Sequence, residues 1–335
     1  MNKRTDDDLI IKVENLKKVY KINKRGKGLP GHLANLFKPS FTKKKAVDGI
    51  DFQIRRGDAV GFIGANGAGK STTIKMLCGI LSPTEGRLEA LGFNPHKQRK
   101  QYVAAIGAVF GQKSQLAWDL PIIDSFELLQ KVYRIPQKRY EENLKQFTDL
   151  LDMESFLEQP VRQLSLGQKM RAEIAASLLH SPELVFLDEP TIGLDVVAKE
   201  RIREFLRYMN RELGVTLIFT THDMQDIEKT CDRLIIIDEG KKIYDGTVTG
   251  IKEHFGSERK LIAQFDEECP VDEIEHVTIS EKKNGVKEFL FESGHVSMTE
   301  LIQELFEKYK VNDLTVREPE IEEIVRGIYE KGGVL

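Results

Sequence analysis

The 335-residue sequence predicts an α/β fold, with a mostly parallel sheet covered by helices and a smaller α+β domain after it. Three features point there. From Glu183 to Asp238, apolar runs (ELVFLD, VTLIFTT, RLIIID) alternate with helical stretches such as VVAKERIREFLRYMN. A glycine-rich loop at 64–69 separates the apolar run AVGFI from a helix start. After Phe255 the alternation fades into shorter, mixed elements.

Along the chain, LIIKVENLKKVY at 9–20 begins with β-like alternation. Residues 21–45 break it with Gly26, Gly28, Pro30, Gly31 and Pro39, and HLANLF inside this basic insertion fits one or two amphipathic helical turns. Strand signals resume at AVDGIDFQI and DAVGFIG, and STTIKMLCGI after Lys70 reads as a helix. A strand-rich stretch ends near YVAAIGAVF. LLQKVY, NLKQFTDLLDM, ESFLE and MRAEIAASLLH then read as helices. In the last part RKLIAQF, HVTIS, KEFLF and NDLTVRE read as strands, and MTELIQELFEKYK and PEIEEIVRGIYEK as helices. The expected division is a main domain at 1–255 and a small acidic α+β domain at 256–335, without internal repeats.

Apolar residues make up 40% and charged residues 31%, which excludes disorder throughout. The net charge of −3 does not by itself point to a polyanion binder. It is unevenly spread: residues 15–47 hold ten Lys/Arg and no Asp or Glu, and 261–335 hold eighteen Asp/Glu against eight Lys/Arg. Cys78, Cys231 and Cys269 have no paired spacing, so neither a disulfide framework nor a zinc site is expected, and a reducing compartment is favoured. MNKRTDDDLI lacks an apolar signal segment, and no run approaches the roughly 20 apolar residues that cross a bilayer. The expectation is a soluble, cytoplasmic chain that reaches a membrane only through partners.

Gly64-Ala65-Asn66-Gly67-Ala68-Gly69-Lys70-Ser71 has the spacing of a phosphate loop between strand and helix. Its glycines let backbone N–H groups converge on phosphate oxygens, and the helix N-terminus adds positive potential. Lys70 would place a charge at the β- and γ-phosphates, and Ser71 would ligate Mg²⁺. A glycine-rich turn that happens to precede a helix leaves the Lys-Ser pair unexplained. ELVFLDEP delivers Asp188 and Glu189 at the C-terminal end of a buried strand, where such sheets bind ligands. Asp188 suits Mg²⁺, and Glu189 suits a base for the attacking water; the bland alternative is a cap at a turn or helix start. His222, after LIFTT, is either an ordinary polar residue or one that bonds a γ-phosphate or orders the catalytic water.

With these residues in view, the chain resembles the ATPase subunits of ABC transporters over roughly residues 9–250. Leu164-Ser165-Leu166-Gly167-Gln168 matches the signature, with Leu166 where the family more often has Gly. Gly193-Leu194-Asp195 matches the D-loop, His222 the switch histidine and Tyr20 the adenine-stacking aromatic. The Q-loop glutamine matches Gln112, with Gln115 as the fallback. The resemblance implies a phosphate-loop NTPase of ABC type with a β-subdomain and a helical subdomain at about 113–165. It implies ATP and Mg²⁺ as ligands. The implied nucleotide set is Tyr20, Gly64, Asn66, Gly67, Gly69, Lys70, Ser71, Thr72, Ser165, Gly167, Gln168 and Asp195. The implied catalytic set is Gln112, Glu189 and His222, and the metal set is Ser71, Gln112 and Asp188.

Ser165 heads a second helix suited to a phosphate, so two anion sites per chain imply a head-to-tail dimer with ATP between Lys70 of one copy and Ser165 of the other. Membrane permease subunits follow as partners, and FGQKSQLAWDLP, PVRQLSLGQKMR and DEPTIGLDVVAK resemble a bacterial drug- and viologen-exporter subgroup. An importer ATPase and a non-transport ATPase remain alternatives. The family's helical subdomain receives the permease, and Trp118 fits either that interface or the core. The basic insertion reads as a solvated loop or as a contact for anionic lipid; its thin aromatic content argues against nucleic acid. The acidic C-terminal domain is expected to serve dimerisation or regulation. Localisation at the cytoplasmic face of the membrane completes the expectation.

Overall fold

A computed structural model describes residues 8–23, 41–111, 113–255, 258–266, 270–282, 285–292, 294–317 and 321–330. It divides into two compact units, 1–245 and 246–335. The division falls ten residues before the boundary read from sequence and assigns the helix Val248–Phe255 to the second unit.

In the first unit, β3 (Ala59–Ile63), β5 (Ile106–Phe110), β6 (Leu184–Asp188), β7 (Thr216–Thr220) and β8 (Arg233–Asp238) form a parallel sheet in the order β5-β6-β7-β3-β8, with β9 (Lys241–Thr247) at its edge. Their sequences are near-continuous apolar runs because both faces are covered: every residue of AVGFI and TLIFT is buried. The helices α1 (Lys70–Leu77), α5 (Leu166–Leu178), α6 (Val196–Arg211) and α7 (Met224–Thr230) join these strands. Between β5 and α5 lie α3 (Ile122–Tyr133), α4 (Gln137–Leu150) and two short 3₁₀ turns, at Glu154–Phe156 and Val161–Gln163.

Register matters most for function. Phe110 lies opposite Asp188, Asp188 opposite Thr220, and Thr220 opposite Phe62. One row across four parallel strands therefore ends in a carboxylate and a hydroxyl. The next residues on each strand, Gly111, Glu189, Thr221 and Ile63, emerge along one edge of the sheet.

A second, antiparallel sheet has the order β2-β1-β4, with β1 at Leu9–Asn23, β2 at Phe41–Arg55 and β4 at Glu85–Ala90. Its apolar face meets the main sheet: Phe52 packs edge-on against Phe62, with ring centroids 5.6 Å apart. Both ends of the basic insertion are strand, not loop, since Tyr20 pairs with Lys44, Lys21 with Lys43 and Ile22 with Thr42. Cross-strand pairing overrides the poor strand propensity of the lysines. The helical reading of HLANLF falls outside the described residues. The strand reading of YVAAIGAVF holds only from Ile106, because Tyr102 and Val103 end α2 (Arg99–Val103). Tyr102 is buried there, its hydroxyl donating to the Leu77 carbonyl at 2.7 Å.

The second unit contains α8 (Val248–Phe255) and an antiparallel sheet ordered β11-β12-β10-β13, from β10 (Glu258–Phe265), β11 (Val277–Glu281), β12 (Val286–Glu292) and β13 (Val311–Arg317). Helix α9 (Met298–Lys308) sets Leu301 and Leu305 against Leu261, Phe265, Phe289 and Phe291. In α10 (Ile321–Glu330) the buried residues are Ile321, Ile324, Val325 and Ile328. That spacing is one helical stripe, which leaves Glu322, Glu323 and Arg326 in water.

Candidate nucleotide site

The strand β3 ends at Ile63, and the loop 64–69 turns into α1. Gly67 and Gly69 have φ of 89° and 111°, a region that L side chains rarely adopt. A Cβ on Gly64 would lie 2.3 Å from the Ile237 carbonyl oxygen, and one on Gly69 would lie 2.4 Å from that of Ala46. The loop is thus wedged between β8 and β2 and keeps its shape by close backbone approach. Helix α1 starts without a side-chain cap. Lys70 is only 6% exposed, and its Nζ donates to the carbonyls of Gly64 (2.6 Å) and Ala65 (3.2 Å). Burial pulls its pKa below the ordinary lysine value, opposed by the negative field of Glu189 and Asp188. Asn66 and Gly67 are exposed at the rim, and Thr72 is half-buried.

Ser71 donates from Oγ to Asp188 Oδ1 at 3.3 Å, which joins the loop to the end of β6. The same Oδ1 accepts from the Thr220 hydroxyl at 2.6 Å. Thr220 also takes the Glu189 N–H, on its carbonyl at 3.0 Å and its hydroxyl at 3.1 Å. Glu189 therefore leaves the sheet in a tight turn at φ 53°, a conformation costly for a non-glycine residue and typical of functional sites. Its carboxylate stands 3.7 Å from His222 Nδ1. Neither Asp188 nor Glu189 caps a helix; the capping acids here are Asp195, which accepts from the Ala198 N–H at 2.8 Å at the start of α6, and Asp223, which accepts from the Gln225 N–H at 3.0 Å at the start of α7.

The two residues that flank His222 are held in place. Asp223 donates its N–H to the Thr221 hydroxyl, and the Thr221 hydroxyl donates to the fully buried Asp226. Asp226 also accepts from Thr191 at 2.5 Å and from Arg203 Nε at 2.6 Å. This hub ties the segment after Glu189 to the segment carrying His222, and sequence reading missed it. Thr220 was missed as well.

The segment at 164–168 forms the head of α5. Ser165 Oγ accepts from the Gln168 N–H at 3.2 Å, and Gln168 Oε1 accepts from the Ser165 N–H at 2.9 Å, a complete capping box. A Cβ on Gly167 would lie 3.1 Å from Ala198 Cβ, and one on Gly193 3.2 Å from Leu166 Cδ2. The head of α5 thus rests on the turn that leads into α6. Gln112 lies outside the described residues. Gln115 is bound away from the site, donating from Nε2 to the Glu173 carbonyl at 3.0 Å. Tyr20 is 37% exposed on β1; its partner Lys44 sits two residues before Ala46, which abuts Gly69.

A family model described as "ABC transporter" matches residues 47–192. The ABC transporter ATP-binding protein NatA of Bacillus subtilis is 30% identical over 64% of this chain and 87% of its own length. The chain belongs to the ATP-binding subunits of ABC transporters. The linearmycin resistance ATP-binding protein LnrL of the same organism is 32% identical over 67% of this chain and 72% of its own. A methionine import ATP-binding protein, MetN 2 of Enterococcus faecalis, is 29% identical over 84% of this chain and 83% of its own. Among solved structures, the dimeric ADP- and phosphate-bound cassette MJ0796 superposes with a TM-score of 0.60 at 25% identity, covering 71% of this chain and 99% of that one. The protein is accordingly an ATP-binding subunit and an ATPase. Among its described residues no helix is long and apolar enough to cross a membrane.

Proposed function

We propose that this ABC ATPase binds MgATP at the loop 64–69 and hydrolyses it to drive export of a substrate through separate membrane permease subunits. The observation that carries the site assignment is the contact of Ser71 with Asp188, next to the pair Glu189 and His222. A hydroxyl and a carboxylate oxygen this close are hard oxygen donors, and they fit Mg²⁺. When bound there, Mg²⁺ neutralises phosphate charge. Thr220 holds Asp188 and aims Glu189; Glu189 accepts a proton from the attacking water, and His222 orders the γ-phosphate end. Lys70 balances charge at the β- and γ-phosphates, and Tyr20 offers its ring to the adenine. Gln112 belongs to the same catalytic and metal set by its motif.

Ser165 and the N–H groups at Gly167 and Gln168 form a second anion-binding helix start, with Asp195 fixing the turn beside it. Two copies placed head to tail share two ATP molecules, and loss of the γ-phosphate loosens the pair. The MJ0796 cassette, a dimer in its post-hydrolysis state, supports this reading. Export is favoured by relatives named for Nod factor export and linearmycin resistance; the methionine import relative is the observation on the other side. The chain would work on the cytoplasmic face of the membrane. Lys21, Lys43 and Lys44, exposed beside Ile22 and Phe41, would meet anionic lipid, each lysine contributing on the order of 1 kcal/mol. The unit at 246–335 would serve dimerisation or regulation.

The test is Glu189→Gln. Loss of the carboxylate base lowers turnover by about 10²-fold or more while ATP binding persists, and size-exclusion chromatography with MgATP shows a stable dimer. Chelation of Mg²⁺ with EDTA stops hydrolysis in the unaltered protein. Undiminished turnover in the variant removes Glu189 from its role, and a strictly monomeric active protein removes the shared site.

A further inference from the structure

Helix α5 carries a carboxylate where its neighbours are apolar. Glu173 is 4% exposed, between Ala172 and Ile174, both fully buried. Its side chain is spent on one segment, 113–118, which follows β5. The Ser114 hydroxyl donates to Oε1, and the Gln115 N–H donates to Oε2 at 3.1 Å. The Gln115 side-chain amide returns to the Glu173 carbonyl at 3.0 Å. One turn earlier on the same face, Lys169 places its Nζ 5.3 Å from the centre of the Trp118 ring, and that residue is 58% exposed. The segment is also fastened at its first residue, where the Lys113 N–H donates at 2.8 Å to the carbonyl of Phe110, the residue opposite Asp188 in the sheet. It is therefore a strap between the acidic edge of the sheet and the middle of the helix that Ser165 heads, about 12 Å along that helix from its start.

A buried carboxylate is costly unless its partners are fixed, and removing one partner leaves the charge uncompensated. A helix packed only by apolar contacts could slide past the strap; one holding a buried carboxylate between a hydroxyl and a backbone N–H has a single low-energy register. We infer that Glu173 is a positioning residue: it clasps the segment 113–118 to the signature helix, so that strap and helix move as one body when nucleotide occupies the site. This rests on the proposed reading of Lys70, Glu189 and Ser165.

The strap carries its own reporter, because Trp118 is the chain's single tryptophan. The full chain with Glu189→Gln is titrated with MgATP while Trp118 emission and dimer formation, by light scattering, are followed together. The expected result is an emission change with the same midpoint as dimerisation. Adding Glu173→Leu cuts the amplitude to under about a fifth and raises the dimerisation midpoint at least threefold. Glu173→Gln, which keeps one acceptor, recovers about half of the amplitude. Should the Leu variant fail to fold, Ser114→Ala removes the clasp from the strap side alone and is expected to lose about half of the amplitude. A folded Leu variant, or Ser114→Ala, with the parent's amplitude and midpoint overturns the inference. A parent that dimerises with silent Trp118 also overturns it and leaves the proposed function intact; a parent that neither binds ATP nor dimerises overturns both.

Discussion

Two helix starts in this chain share the physics of anion binding and prepare it in opposite ways. At α1 the first N–H groups take no side-chain acceptor, the loop before them runs through glycines at positive φ, and Lys70 is buried among carbonyls. At α5 the Gln168 N–H is already served by the Ser165 hydroxyl, and the Ser165 N–H by the Gln168 side chain. A phosphate meeting α1 replaces nothing but Lys70's contacts with Gly64 and Ala65. One meeting α5 competes with a closed capping box. Two such starts imply an order of events. On the proposed reading the loop 64–69 would be the primary nucleotide site, and the head of α5 a secondary one that would engage only when a partner copy presents a phosphate at short range.

The sharpest way to break this ordering is Lys70→Ala. A buried cation at the phosphates is worth about 1.5–3 kcal/mol in charge-assisted hydrogen bonds, so calorimetric ATP affinity should fall about 10- to 100-fold. The fold should survive, because the change removes a buried charge and leaves two carbonyls that water can reach from the half-buried loop rim. Ser165→Ala should separate the two sites. Its cap loss costs about 1 kcal/mol of stability, and turnover should fall about tenfold. ATP affinity of the monomer should stay within about twofold, since that affinity belongs to the other helix start. If Ser165→Ala weakens monomer binding as much as Lys70→Ala, the order of the two sites is wrong.

What could be read in advance follows the range of the interaction. The strand–loop–helix run from Ala59 through Lys70 and the strand ending in Asp188 are contiguous, so their chemistry is visible in a line of text. Thr220 is not: its hydroxyl matters only because parallel register sets it opposite Asp188. Asp226 hides for the same reason, since its partners Thr191 and Arg203 come from other elements. Glu173 reads as one more charged letter in a helix of mixed composition until the strap is seen against it. Gln115 shows the converse, as a glutamine at plausible spacing whose amide is committed to a helix carbonyl. The ends of the basic insertion were misjudged because lysine-rich strands look like loops until their cross-strand partners are known.

A minor effect is expected at Gln168. Gln168 is assigned to nucleotide binding by its motif, and yet its side chain is occupied by the Ser165 N–H. Gln168→Ala deletes only the return half of the box. The Ser165 hydroxyl still accepts from the backbone N–H of residue 168, so thermal unfolding should show a loss of only about 0.5 kcal/mol. Turnover should change by less than about twofold if the side chain stays in its box during the cycle, because the phosphate is then met by backbone N–H groups that alanine retains. A loss as large as that of Ser165→Ala would mean that Gln168 leaves the box to reach the nucleotide. The closed cap would then be a resting arrangement that dimerisation opens, and the cost of opening it would weaken the shared site relative to the loop 64–69.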